Sequence, residues 1–149
     1  MKKFFTFCLL AVFSAVLFAQ NAKSVGVTDS DVKNWAKNLP TIVKEFDKIG
    51  VDPADSYLEA INEKEEVENV LQKNGISGPD RIEKFKMITR CAGILKVEAE
   101  LDEDSKEMMK LMNMDPTAEL KKNINQKDYD VVAANSKAVI KAMDAFDDD

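Results

Sequence analysis

The chain has 149 residues, with 27 acidic against 21 basic side chains, a formal net charge of −6, and no histidine. The acid excess argues against nucleic acid, which takes a basic face to displace counterions, and against an anionic membrane surface. Without histidine there is no Ser-His-Asp or Cys-His nucleophilic device and no imidazole ligand for zinc.

The chain opens Met1-Lys2-Lys3, continues through an uncharged apolar run from Phe4 to Ala19, and leaves it at Gln20-Asn21. A basic start, an apolar middle and a small residue at the end are the layout of a cleavable secretory signal. The expected cut follows Ala19, with Leu17 where a small residue is usual; a cut after Ala22 would put Gln20 there, a poorer fit. The run is shorter than the about 20 residues a spanning helix takes. The expected organisation is residues 1–19 as signal, 20–27 as leader, 28–146 as one helical domain, and 147–149 as an acidic tail. Cleavage would remove Lys2 and Lys3 and no acid, taking the net charge from −6 to −8. Cys8 would leave too, and Cys91 alone cannot form an intrachain disulfide. The expected location is the periplasm or the medium, with no stable membrane insertion after cleavage.

Turn signals in the remainder fall where helices end. Thr28 or Asp29 is placed to cap a first helix, whose apolar face reads Val32, Trp35, Ala36, Leu39, Val43, Phe46 and Ile49. Gly50 stops it, and Pro40 inside it predicts a kink near Leu39. Asp52-Pro53 restarts the chain, with Tyr57, Leu58, Ile61, Val67, Val70 and Leu71 on one face and a wholly polar middle from Asn62 to Glu66. Asn74-Gly75 is a stop. Gly78-Pro79-Asp80 opens a third helix with a clean face of Ile82, Phe85, Ile88, Cys91, Ala92 and Leu95. That helix either runs on to Met112 or breaks at Asp102-Glu103-Asp104, and carboxylates at a new N-terminus favour the break. A short helix carries Met108, Met109, Leu111 and Met112. Asp115-Pro116 starts another, with Leu120 and Ile124 inward. A final helix runs from about Asp128 on the face Tyr129, Val132, Ala133, Ser136, Val139, Ile140, Met143 and Phe146. No stretch alternates with period two for long enough to be a strand. The expected fold is all-α: a single-domain bundle of about five to six helices with up-down antiparallel neighbours.

The run Asn74-Gly75-Ile76-Ser77-Gly78-Pro79, followed by Phe85, Ile88 and Ala92-Gly93, resembles a pattern in small exported bacterial helical proteins. Asp128-Tyr129-Asp130-Val131-Val132 at the last helix does so too. The resemblance covers the C-terminal half and carries no catalytic motif. It implies an exported, helical, single-domain protein and nothing about chemistry.

Four features are candidates for function. Met108, Met109, Met112 and Met114 lie within seven residues. On a helix, Met108 and Met112 share a face, with Met109 three residues before Met112. Such a cluster reads as core filling, as an adaptable apolar binding surface, or as a soft Cu(I) site. Cys91 lies on an apolar face, with Met87 one turn before it, and reads as core or as a reactive thiol. The carboxylate runs Glu63, Glu65, Glu66 and Glu68, and Glu98, Glu100, Asp102, Glu103 and Asp104, sit among lysines at helical spacing. They read as solvated faces; a carboxylate-only enzyme is the alternative. Asp102-Glu103-Asp104 lacks the glycine and spaced acids of a calcium loop. Trp35 lies on the first apolar face and Tyr57 near a helix start. The expected function is non-enzymatic binding of a protein client or a small hydrophobe. The site is either a groove edged by Met108, Met109 and Met112 or an apolar cavity lined by Trp35, Phe46, Phe85 and Leu95. No catalytic residue and no cofactor is expected.

Overall fold

The computed structural model describes residues 23–51, 61, 65–112, 117–122 and 124–147, and every regular element among them is a helix. The expected signal, the restart at Asp52-Pro53 with Tyr57 and Leu58, the acid Glu63, Met114 and Asp115-Pro116 lie outside the described residues. So do Asp148 and Asp149 and the side chain of Phe146. In chain order the helices are α1 (Asp29–Lys48), α2 (Glu65–Lys73), α3 (Arg81–Glu100), α4 (Glu103–Leu111), the single turn α5 (Ala118–Lys121), α6 (Gln126–Ala133) and α7 (Ser136–Asp147).

α1 begins with a reciprocal cap. The Thr28 hydroxyl accepts from the Asp31 N–H at 3.2 Å, and the Asp31 carboxylate accepts from the Thr28 N–H at 3.1 Å. Two N–H groups that the first turn would leave without partners are thereby satisfied. The helix runs unbroken through Pro40 to Lys48. Of its expected stripe, Val32, Trp35, Leu39, Val43 and Phe46 are buried, Ala36 and Ile49 are half-buried at its margin, and Ile42 joins it.

α3 is the central helix. It packs against α1, α2, α6 and α7. That setting explains why burial exceeds the face read from its spacing: Met87, Thr89, Gly93 and Ile94 are buried as well as Ile82, Phe85, Ile88, Cys91, Ala92 and Leu95. Phe46 and Phe85 meet edge to face with ring centroids 5.6 Å apart, the arrangement in which one ring's positive edge faces the other's negative face. The Trp35 indole N–H donates to the Thr89 hydroxyl at 3.2 Å, which in turn donates to the Phe85 carbonyl at 2.9 Å. The one polar atom of the tryptophan is thus partnered inside an otherwise apolar core.

α3 stops at Glu100, as the acidic run predicts. Asp102 supplies the new start: its carboxylate accepts from the Ser105 N–H at 2.6 Å. That bond holds the Asp102 carboxyl below its ordinary range.

The final helix differs from its expectation. It is two helices, α6 and α7, joined at Ala134-Asn135. In a continuous helix the Asn135 N–H would reach the Val131 carbonyl. Instead the Asn135 side-chain amide takes that carbonyl at 3.0 Å, and its N–H goes to Val132 at 2.9 Å. The same amide donates to Asp29 at 2.9 Å, pinning the joint to the start of α1. α7 also continues through Asp147, the first residue of the expected tail.

Two polar stitches fix the remaining connections. The Asp128 carboxylate, 2% exposed, accepts from the Ser24 hydroxyl and from the Val25 and Val27 N–H groups at 2.9–3.1 Å. Gly26 lies between them at φ 69°, which lets both N–H groups converge on one carboxylate. The loop after α2 is held to α1 by Asn34, which donates to the Gly75 carbonyl, and by Asn38, which donates to that of Asn74, both at 3.0 Å.

Candidate functional site

The methionine helix α4 stands apart from this core. It packs extensively against no other described helix, and none of its residues joins the buried cluster. Met108 is 57% exposed, Leu111 88% and Met112 58%. No other large apolar side chain among the described residues is exposed. Burying a leucine or methionine is worth about 1.5–3 kcal/mol, so three of them on one solvated strip leave a large stabilisation unused by the fold.

The three share a face because they lie at i, i+3 and i+4. Met109 lies about 100° around the helix from Met108 and is half-buried. The expected set therefore divides. Met108 and Met112 sit on the open face, Met109 turns aside, and Leu111, expected on this helix but outside the site, is the most exposed member. Its signal was present in the spacing to Met108.

Trp35 and Phe85 sit elsewhere, fully buried in the core with Phe46, and Leu95 is 8% exposed. The structure does not bring them to the methionine face. They belong to the buried core cluster, where Phe85 packs on Phe46 and Trp35 bonds to the Thr89 hydroxyl.

Cys91 is fully buried, and burial first, with the nearby Asp128 carboxylate second, pushes its thiol up to about 12. At neutral pH it is a protonated, enclosed thiol, which is neither a nucleophile nor a soft-metal ligand. Met87, one turn away, is buried with it.

Two of the carboxylates have structural partners on other elements. Glu68 meets Arg81 at 3.2 Å, while Glu65 and Glu66 are exposed. Glu98 departs from the solvated-face expectation: it accepts from the Thr117 hydroxyl and the Tyr129 hydroxyl, each at 3.0 Å, and pairs with Lys121. It ties α5 and α6 to the end of α3. Among the described residues no three Cys, Asp or Glu side chains gather as a metal site. No described helix is long and apolar enough to cross a membrane.

Asp31 is the most elaborate polar centre. It is fully buried, and one oxygen accepts from the Ser77 N–H and hydroxyl at 3.0 and 3.2 Å. The other accepts from the Thr28 N–H and hydroxyl and from Lys84 at 3.0 Å. Lys84 also donates to the Ser77 carbonyl at 2.9 Å. Burial alone would push this carboxyl up, but the bonds from Ser77, Thr28 and Lys84 together outweigh it and hold it below its ordinary range. With every oxygen engaged, the centre joins α1, the loop after α2 and α3 and leaves no lone pair for a ligand.

The strip Met108, Leu111 and Met112 is therefore the surface whose composition the fold itself does not account for. Compared with known proteins, the chain matches no protein-family model, no curated protein and no solved structure.

Proposed function

We propose that this chain is an exported, non-enzymatic helical protein that binds a protein partner through the open face of α4. One observation carries the reading: the exposed large apolar side chains of the described residues are confined to Met108, Leu111 and Met112. Scattered apolar residues on a surface need no explanation, whereas a contiguous set on one helix marks an interaction site. Methionine adds adaptability, since its unbranched, polarizable side chain follows the shape of what docks against it. The N-terminal pattern of Lys2-Lys3, Phe4 to Ala19 and Gln20 supports export to the periplasm or the medium. The absence of histidine from the chain is in keeping with a role in binding rather than catalysis.

The test is binding of a fluorescent hydrophobic dye to the protein and to a Met108→Ser, Leu111→Ser, Met112→Ser variant. These side chains are solvated, so the variant keeps its helical circular dichroism. The reading expects dye binding by the protein and its loss in the variant. A protein that binds no dye, or a variant that binds it equally well, contradicts the reading.

A further inference from the structure

The charges around the strip say what kind of partner fits it. Placed on a helix of 3.6 residues per turn, Asp104 falls one turn before Met108 and Glu107 one turn before Leu111, so both border the apolar face. Both are exposed. The lysine Lys106 falls on the opposite side of the helix. It is paired with Glu103 at 3.0 Å. The open face is thus apolar along its middle and acidic along its edge, on a chain that is itself acidic.

We infer that the partner of α4 is a cationic amphipathic helix: apolar anchors at i, i+3 and i+4 against Met108, Leu111 and Met112, with lysine or arginine beside them meeting Asp104 and Glu107. This rests on the reading of α4 as a binding face and adds the partner's chemistry. Helix against exposed helix needs no unpaired backbone edge, and the anchors repeat with the spacing that α4 itself presents. The acidic edge acts mainly on encounter and discrimination, because exposed charges steer partners and repel like ones. A second copy of this chain fits poorly. A two-fold contact would place the same acidic edge on both sides. An anionic lipid surface is disfavoured for the same reason.

Two synthetic helical peptides test this, alike in their leucine face and differing in polar residues, one bearing lysine and one glutamate. Their binding to the protein is read by fluorescence anisotropy at low and at high salt. The lysine peptide is expected to bind roughly five- to tenfold more tightly at low salt, the effect of two exposed ion pairs. The preference should shrink with added salt and vanish in Asp104→Asn, Glu107→Gln, while residual affinity for both peptides remains. Equal binding of the two peptides overturns the charge selection and leaves the binding face standing. Binding of neither removes the face itself. Self-association that Met108→Ser, Met112→Ser abolishes would make a second copy the occupant and overturn the inference.

Discussion

Replacing Asp31 by asparagine isolates the polar centre that joins α1, α3 and the loop after α2. The substitution keeps size and shape and removes one acceptor. Donors meet both oxygens of Asp31: Ser77 on one, Thr28 and Lys84 on the other. Whichever way the new amide turns, its NH2 faces a donor. Lys84, 8% exposed, then lacks its countercharge. Breaking a buried pair from one side costs about 3–5 kcal/mol. The reverse change, Lys84→Met, is expected to cost less, about 2 kcal/mol, because Asp31 keeps its bonds from Thr28 and Ser77. Urea unfolding followed by circular dichroism measures both, and the slope should stay constant while the midpoint falls. The pH dependence follows from the same geometry. The folded carboxyl lies below its ordinary value, so its contribution is present above the unfolded value of about 4 and is lost as pH falls through the folded one. The gap between wild type and Asp31→Asn should therefore be full at neutral pH and narrow in acid. If Lys84→Met costs as much as Asp31→Asn, or if the gap widens in acid, the assignment of Asp31 as the organising acceptor is wrong.

Other outcomes follow from single residues. Gly75→Ala should cost about 2–3 kcal/mol. Its backbone is left-handed at φ 84°, and a Cβ there would come within 2.6 Å of the Asn34 amide that bonds the Gly75 carbonyl; an unchanged urea midpoint would refute this. Cys91 should resist iodoacetamide at neutral pH until the protein is unfolded, since its thiol is enclosed and pushed up to about 12; prompt labelling of the folded protein would contradict the burial. Asp128→Asn should speed amide hydrogen exchange at Val25 and Val27, whose N–H groups it holds, while leaving α1 protected. Equal exchange rates would show that the leader is fixed by something else.

Much of the fold was legible in residue spacing. Val32, Trp35, Leu39, Val43 and Phe46 mark a face because only a packed helix repeats apolar residues at three and four. For α3, spacing left open both a run on to Met112 and a break, and Asp102-Glu103-Asp104, where acids suit a helix start, only tipped the balance toward the break that is found. The joint at Asn135 was not, because the face Tyr129, Val132, Ser136, Val139 and Met143 continues in step across it. The break depends on a side-chain amide taking a backbone carbonyl, which periodicity does not record. The buried charges were hidden for another reason. Asp31 meets Ser77 and Lys84, and Asp128 meets Ser24, across separations of 46, 53 and 104 residues. Only the folded chain brings such partners together. Spacing also could not say whether the methionine face turns inward or outward, since a core stripe and a docking stripe share one period.

The account's central claim is that Met108 and Met112 receive the partner. Methyl NMR of protein labelled at its methionine methyl groups tests this directly upon titration with the lysine peptide. Met87 and Met143, 4% and 1% exposed, serve as internal controls within the core. The account predicts shifts at Met108 and Met112 that saturate, with Met87 and Met143 unmoved. Shifts at Met87 and Met143 with Met108 and Met112 unchanged would place the binding site in the core and contradict it.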